Sequence, residues 1–469
     1  MLLLRLLMSA AVGLWPLAAS LDLFVDKQAT AARDQQQHVP LGSLHRPFST
    51  VAEAVATIRA LPQRTRCAAP GVRVTIKGGA YGGIENMLRL DAGDSGCAPD
   101  APVMYRADPS DPVPVQLHGG VELPPHAFRW AGTVGGHAVY RADLQNVGLG
   151  SLGASSSQFR RGWTCANGLR TELFFAGSPM HLARHPNLGA SGVWQWLRQG
   201  ATVSQTSFEL GTDDSNGGAA VRIDPRWTSE RTLWAHGFWS WDWADEYVPV
   251  AAVTTKQNGI VQLTSAPKYG LRAGSRYLLL NSLSLLDAPG EYVIERNGTL
   301  FLIPPDGSDP RTAGSTQVFM SQRQHAHTLN GTSHVVLRGL QLEYAVGSAL
   351  IVSNATDVTV DNCTLANSGT YGLSLTGQNL TVKRSNIFGV GCDGLRMSGG
   401  DAVVLSPGRV NVSENHIFGF ARVSRTVRPG ISWSGCGNIV SSNHIHDAPH
   451  SASGFVFNKL YTLYRFVRA

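Results

Sequence analysis

A repeat in the C-terminal part of the chain constrains the fold more than any other feature. Five eight-residue segments align, at 335–342, 358–365, 380–387, 410–417 and 438–445, and each closes on an apolar residue: Leu342, Leu365, Ile387, Ile417 and Ile445. These residues recur every 22 to 30 positions, and the two longest intervals contain Gly-rich insertions. Short strands repeating at this interval between polar turns are typical of a β-solenoid.

Alternation within each segment predicts which side chains face the interior. Val358 and Val360 should point inward with Thr359 outside, because successive side chains of a strand point to opposite faces. By the same alternation, Asn411 should point outward. Asn415 and Asn443 occupy equivalent turn positions, where stacked amides can bond the backbone of neighbouring coils, although ordinary turn chemistry is the alternative.

Composition agrees with an all-β protein. The 469 residues include 51 glycines, only 15% are charged and 43% are hydrophobic, which excludes a disordered chain and disfavours long charged helices. The net charge of +6 is spread along the chain with no basic block, so we expect no nucleic-acid partner.

The N-terminus predicts export. Residues 1–20 combine one Arg, an apolar run and a small-residue cleavage site at Ala18-Ala19-Ser20, as in a secretory signal peptide. A retained membrane anchor is the alternative. No later segment is long and apolar enough to cross a bilayer, so we expect a secreted, extracellular protein without stable membrane insertion.

The cysteines and the sequons agree with the predicted export. All six cysteines follow the predicted signal, and we predict a disulfide between Cys67 and Cys97, which flank one β-rich stretch. Asn-x-Ser/Thr sequons predict glycosylation, with chance occurrence as the alternative, at Asn297, Asn330, Asn354, Asn362, Asn379 and Asn411.

The domain organisation follows from changes in composition and sequence pattern along the chain. After the signal we expect an N-terminal cap and first coils at 21–123, a Trp-rich β domain at 124–318, further coils at 319–450 and an atypical tail at 451–469. Thr50 and Glu53 form a capping-box signature, which predicts a helix of about ten residues from Val51 that caps the solenoid. Nine of the eleven tryptophans lie in the 124–318 domain, which we expect to be a β-sandwich.

Ordered motifs identify a resemblance. The runs 389–401, 422–430, 435–438 and 443–450, together with 183–187 and 285–292 earlier in the chain, resemble secreted right-handed parallel β-helix repeat proteins, which are pectin-lyase-like and related to β-helical glycoside hydrolases with an inserted β domain. The resemblance implies an all-β fold of this kind. Because such proteins continue with further coils, the 451–469 tail leads us to expect a C-terminally truncated sequence.

Carboxylates are the first candidates for catalysis. Glycosidic hydrolysis usually needs two carboxyl groups, and Asp393 and Asp401 flank the predicted strand 394–398. On one extended strand they would be too far apart to act together, so either could pair with Asp447 on the next coil. Gly-Asp turn chemistry is the alternative for both.

Other polar and aromatic residues complete the candidate site. His444, His446 and His450 with Asp447 could serve as acid, base or ligand. His446 and Asp447 are the catalytic candidates among them, because both fall outside the ladder in which His444 repeats His416. Arg422, Arg425 and His450 are candidates for binding a carboxylated sugar, with solvated loop charge as the alternative for the arginines. Trp239, Trp241 and Trp243 alternate and should share one strand face, with Trp241 as a sugar platform or, alternatively, all three in the domain core.

Three functions remain open at this stage. The first is a secreted glycoside hydrolase that acts on plant or algal polysaccharide. The second is a polysaccharide lyase on the same scaffold, and the third is a non-catalytic carbohydrate-binding or wall protein. We expect a polysaccharide or oligosaccharide partner, no metal site and no cofactor, with calcium only in the case of a lyase.

Overall fold

The protein was analysed as a computed structural model. It describes residues 21–29, 38–149, 165, 171–189, 192–255, 258–312, 317–449 and 451–455. The chain forms two compact units, one containing 1–120, 323–420 and 429–469, the other containing 121–322 and 421–428. The predicted signal peptide at 1–20 and most of the 451–469 tail lie outside the described residues.

The first unit is a parallel β-helix built on two sheets. The larger sheet is parallel apart from one hairpin and contains Leu21–Val25, Val72–Ile76, Arg89–Leu90, Val103–Ala107, His327–Asn330, Ser333–Arg338, Leu350–Asp361, Leu373–Gln378, Thr381–Lys383, Leu395–Asp401, Ser406–Pro407, Asn411–Ser413, Ile431–Gly435, Ile439–Ser441 and Ser453–Phe455. The smaller sheet is entirely parallel and contains Gly79–Tyr81, Val115–His118, Leu340–Glu343, Thr364–Ala366, Asn386–Phe388, His416–Phe418 and His444–His446.

The register of the smaller sheet confirms the predicted repeat. The five closing apolar residues pair in order, Leu342 with Leu365, then with Ile387, Ile417 and Ile445. In the larger sheet Val360 pairs with Val382, and the predicted inward residues are buried. Stacking these side chains coil on coil removes apolar surface from water along the whole solenoid, which is the main source of its stability.

The asparagine ladder is also confirmed. The Asn415 amide nitrogen donates to the Val382 carbonyl at 3.0 Å and to Asn443 Oδ1 at 2.9 Å, and Asn415 Oδ1 accepts from the Ser385 N–H at 3.0 Å. Asn443 in turn donates to the Val412 carbonyl at 2.9 Å. These amides therefore satisfy buried backbone groups at a corner that the strands leave unpaired.

Helices are few and short. Helix α1 (Val51–Ala60) begins at the predicted residue, and its capping box is present because Thr50 Oγ1 accepts from the Glu53 N–H and the Glu53 carboxylate accepts from the Thr50 N–H. It lies against Leu21–Val25, the strand at one edge of the larger sheet, as expected of a cap. Helix α2 covers Gln63–Arg66, and 3₁₀ turns form at Ile84–Asn86, Ala92–Asp94, Pro125–Ala127, Leu144–Val147, Asp214–Asn216, Pro225–Thr228 and Leu283–Leu285.

The second unit is a mostly antiparallel, sandwich-like β domain. Its three sheets contain Gly120–Glu122, Phe128–Val134, His137–Asp143, Leu173–Phe175, Ser178–Pro179, His181–Leu182, Arg184–His185, Leu197–Arg198, Thr202–Ser204, Ser207–Glu209, Thr212–Asp213, Ala219–Ala220, Trp234–Gly237, Glu246–Thr254, Ile260–Leu263, Arg276–Leu280, Glu291–Ile294, Thr299–Leu302 and Val318–Ser321. Alternate residues of these strands fill two apolar cores rich in aromatic side chains.

The predicted tryptophan face is wrong. Residues 238–245 connect the antiparallel strands Trp234–Gly237 and Glu246–Thr254 and form no strand themselves. The Trp239 side chain is 2% exposed, whereas Trp241 and Trp243 are 49% and 48% exposed. The alternating tryptophans misled the prediction because the same alternation is compatible with a loop. Here the loop folds back, and the Ala244 N–H donates to the Trp241 carbonyl.

Cysteines and sequons bear on the predicted secretion. Cys67 and Cys97 form the predicted disulfide, Cys165 and Cys392 are also disulfide-bonded, and Cys363 and Cys436 are free. Five sequon residues are exposed, Asn297, Asn330, Asn354, Asn362 and Asn379, while Asn411 is half-buried. Glycosylation stays a prediction. None of the helices in the described part of the chain has the length and apolarity of a membrane span.

Candidate functional site

Asp393 is a buried carboxylate at a turn of the β-helix. It lies two residues before the strand Leu395–Asp401, and only 4% of it is exposed. The Ser432 hydroxyl, itself buried, donates to Asp393 Oδ2 at 2.7 Å. A hydrogen bond of this length fixes the orientation of the carboxyl group just before the strand begins.

The repeat does not account for this carboxylate. Asp393 precedes Gly394, and the aligned glycines of the neighbouring coils follow Tyr371 and Pro429. Neither neighbouring coil therefore has an aspartate at this position, whereas the ladder has asparagines on adjacent coils. Burial of a carboxyl group is costly, so its presence here and not in the neighbouring coils favours a specific role.

Asp401 lies in a different environment. It ends the strand Leu395–Asp401 at the tip of a hairpin with Ser406–Pro407, and it is exposed. Its Oδ1 accepts from the Val403 N–H at 2.8 Å and closes the turn. This is the turn chemistry that the sequence left open as the alternative.

Histidines converge on the smaller sheet. His416 and His444 are in register and their rings stack with centroids 5.1 Å apart, as predicted. The expectation that His446 falls outside the ladder is wrong, because His446 pairs with Phe418 and stacks on it at 5.4 Å. The nitrogen ligands of these three histidines lie within 4.8 Å of one another. Asp447 Oδ2 lies 2.8 Å from His446 Nδ1, and the predicted catalytic role of these two residues stays a prediction. His450 lies outside the described residues.

Arg422 belongs to the β domain. Its guanidinium donates two hydrogen bonds to Glu172, at 3.0 and 3.1 Å, and the Glu172 side chain is 1% exposed. Such a bidentate pair satisfies a carboxylate that is removed from water. Its guanidinium is thus engaged by the protein rather than exposed as solvated loop charge.

Arg425 contacts an aromatic side chain in the same domain. Its guanidinium lies 4.0 Å from the centre of the Trp194 ring, and the Arg184 guanidinium lies 4.2 Å from it. Burial lowers the pKa of both arginines to about 10, so both stay charged at neutral pH. Arg184 donates to the carbonyls of Pro186 and Gln195, and cation–π contact with Trp194 stabilises both charges.

A buried histidine–aspartate pair lies beside this cluster. His236 Nε2 is 3.0 Å from Asp245 Oδ2, and Asp245 also accepts from the Thr426 hydroxyl and the Arg425 N–H. Burial lowers the pKa of His236. Burial alone would raise the pKa of Asp245, but its hydrogen bonds, chiefly the one from His236, outweigh burial, so the pKa of Asp245 is lowered. The pair is therefore a neutral imidazole donating to a carboxylate, and it fixes the 421–428 segment within the domain.

Trp241 presents an exposed aromatic surface. About half of its surface is accessible, and the Arg272 guanidinium lies 5.9 Å from its ring centre. Exposed indole rings stack on the apolar faces of sugars, whereas the buried Trp239 is held by Phe208 and Tyr277. The core position that the sequence left open as the alternative is thus confirmed for Trp239, whereas the role of Trp241 as a sugar platform stays a prediction.

Sequence reasoning missed His236, Asp245 and Arg184. Arg184 lies in the 183–187 motif and Asp245 in the Trp-rich run. Both segments can be recognised in the sequence, but the contacts of these two residues cannot. No spacing rule could join them to Arg425, which is 180 residues from Asp245. Only the return of 421–428 to the β domain brings the groups together.

Comparison with known proteins supports the fold. The model of the right-handed beta helix region matches residues 328–463. A solved structure of a glycoside hydrolase is similar with a TM-score of 0.62 and 13% identity, over 91% of this chain and 88% of the other. XylC in complex with xylose is similar with a TM-score of 0.43 and 11% identity, over 91% and 62% of the two chains. A comparison with curated protein sequences gives no match.

The match to the family model and the similarity to the glycoside hydrolase structure agree with the β-helix fold described above. The family model covers the repeat that the sequence predicts, and the glycoside hydrolase structure extends the likeness to most of the chain. The chain is therefore a right-handed parallel β-helix protein with an inserted β domain.

Proposed function

We propose that the protein is an exported carbohydrate-active enzyme that hydrolyses glycosidic bonds, with Asp393 as one of its two reacting carboxylates. The observation that carries the proposal is the buried carboxyl group of Asp393, held by the Ser432 hydroxyl at 2.7 Å in a solenoid whose neighbouring coils have Tyr371 and Pro429 at its position.

The environment of Asp393 suits this chemistry. Glycosidases use a carboxyl group either as an acid that protonates the leaving oxygen or as a nucleophile or base on the other side of the sugar. Both roles need a fixed orientation and restricted water. Burial of Asp393 and its bond to Ser432 supply these conditions, while the exposed Asp401 is committed to a turn.

Two further features support a sugar ligand. Trp241 offers an exposed ring for stacking, and the cation Arg425 suits a carboxylated sugar. The similar structure over most of the chain is a glycoside hydrolase, which supports the same reaction class here. The disulfide Cys67–Cys97 supports export, because such bonds persist in oxidising compartments.

The direct test is release of reducing ends from a panel of neutral and uronate-containing polysaccharides. We expect Asp393→Asn to lower turnover by roughly 10²–10⁴-fold, the usual contribution of acid or base catalysis. Asp401→Asn is the matched control, because its side chain closes an exposed turn and an amide oxygen accepts the same hydrogen bond. Circular dichroism of both variants establishes that they fold.

Other outcomes decide between the alternatives. Turnover that survives Asp393→Asn contradicts the assignment of this carboxylate. A product with a new ultraviolet-absorbing double bond and a requirement for calcium identifies a lyase instead. Binding without turnover on every polysaccharide identifies a carbohydrate-binding protein. A loss of turnover in Asp401→Asn would restore its predicted catalytic role. The roles of His446, Asp447, Arg422 and His450 stay predictions, which variants of these residues on the same panel can test.

A further inference from the structure

Three imidazoles meet on the smaller sheet of the β-helix. His444 and His446 alternate on the strand His444–His446 and therefore share one face, since side chains two apart on a strand point the same way. His416 begins the neighbouring strand His416–Phe418 and pairs with His444. Parallel register thus places three ring systems side by side.

The distances between these rings are those of converging ligands. The Nε2 atoms of His416 and His446 are 2.6 Å apart, and one ligand nitrogen from each of the three rings lies within 4.8 Å of the others. Zn–N bonds of 2.0–2.1 Å in a tetrahedral site place ligand nitrogens about 3.3 Å apart. Small rotations of the side chains, which are exposed or half-buried, are enough to reach this spacing.

Stacking along the solenoid does not explain the cluster. The preceding coils have Thr364 and Asn386 at the His416 position, and Ala366 and Phe388 at the Phe418 position. Phe388 stacks on Phe418 at 4.9 Å, so an apolar ring suffices for the ladder. Three groups that repel one another when protonated are a poor choice for stacking alone, whereas a shared cation would hold them together.

A carboxylate orients one of the rings. Asp447 Oδ2 is 2.8 Å from His446 Nδ1, which leaves His446 Nε2 directed at His416. Histidines that bind metals commonly donate their second nitrogen to a carboxylate in this manner.

We propose that His416, His444 and His446 bind one divalent first-row transition metal ion of the zinc class, with Asp447 as the residue that positions His446. Three imidazoles with a remaining open position suit Zn²⁺, Cu²⁺ or Ni²⁺ rather than Ca²⁺ or Mg²⁺, which prefer oxygen ligands. Bound metal would join the last two strands of the smaller sheet in its described part. No metal site was expected from the sequence, because His416 and His446 are 30 residues apart and only the strand register brings them together.

The test is calorimetric titration of the full, tag-free chain with Zn²⁺ after treatment with a chelator. We expect one ion per chain and a rise in the unfolding temperature on binding. His416→Gln and His446→Gln should each abolish this binding, and Asp447→Asn should weaken it about 10- to 100-fold, as for other outer carboxylates. His137→Gln, which lies in the other unit, is the control and should leave affinity unchanged.

Loading with Cu²⁺ provides a second measurement. Electron paramagnetic resonance of the wild type should show nitrogen ligands, with fewer in each histidine variant that folds. Absence of Zn²⁺ binding by the wild type would overturn the proposal, as would unchanged affinity in His416→Gln or His446→Gln. Because His446→Gln changes a half-buried ring at the sheet edge, it serves if His416→Gln fails to fold.

Discussion

The β-helix and the inserted β domain bury polar groups in different ways. In the β-helix, polar contacts run from coil to coil. Asn415 bridges three neighbouring coils, and the Asp361 carboxylate lies between Arg338 and Arg384 of the coils on either side. Each contact resembles the next because parallel register brings equivalent positions together.

In the β domain, each buried polar contact occurs once. Glu172 pairs with Arg422 from a distant part of the chain, and Asp245 collects His236, Arg425 and Thr426. Around them, large aromatic side chains fill cores with no repeating unit. In the repeat, similar polar contacts recur in successive coils. In the domain, by contrast, a single substitution removes a polar contact that occurs once.

The largest effect should come from a substitution in the domain core. Trp239→Ala removes a ring that packs on Phe208 and Tyr277 and that donates to the Glu246 carbonyl at 3.0 Å. We expect a loss of about 3–5 kcal/mol in the free energy of unfolding. Trp241→Ala, at an exposed position of the same loop, should change it by less than about 0.5 kcal/mol. Denaturant unfolding followed by circular dichroism measures both.

The next largest effect should be a loss of stability at acid pH caused by buried histidines of the β-helix. His327 is fully buried, its Nδ1 accepts from the Leu88 N–H, and its Nε2 contacts the Leu117 carbonyl. Burial lowers its pKa to about 4, below the unfolded value of about 6.5, so the unfolded chain takes up the proton first. Stability should therefore fall as the pH drops from about 6.5 to about 4, by roughly 3 kcal/mol from this residue.

The matched variant for this pH effect is His327→Gln. It removes the titrating group, so its unfolding free energy should lose less on acidification than that of the wild type. Equal slopes in the two proteins would contradict the assignment of the effect to His327. His118 and His181, whose pKa values are also lowered to about 4 by burial, contribute to the slope in both proteins.

The ladder should respond in a graded way. Asn415 is buried, and Asn415→Ala leaves the Ser385 N–H and the Val382 carbonyl without their partner, at a cost of about 2–3 kcal/mol. Asn443→Ala affects an outer, half-buried rung and should cost about 1 kcal/mol or less. Equal losses at the two rungs, measured by denaturant unfolding, would show that position along the ladder does not matter.

Predictability from the sequence follows the same division. The closing residues from Leu342 to Ile445, the Asn415–Asn443 ladder and the cap at Val51 could be predicted because periodicity or local spacing encodes them. The contacts of Arg425 with Trp194 and Asp245 could not, because they join segments that no local pattern relates. His446 shows the limit within the repeat. Its place beside Phe418 depends on a strand register that continues one residue beyond the closing apolar residue Ile445.

The smallest effect concerns the cap of the β-helix. Thr50→Ala removes the acceptor of the Glu53 N–H at the start of α1, which should cost about 1 kcal/mol, whereas Thr50→Ser keeps the acceptor and should cost little. The helix buries Val51, Ala54 and Ile58 beside the edge strand Leu21–Val25. Because coils in a solenoid contact only their neighbours, the loss should appear as faster amide exchange in 21–25 and 51–60, with unchanged exchange in the ladder around Asn415. Faster exchange throughout the β-helix would instead show that the coils unfold as one cooperative unit.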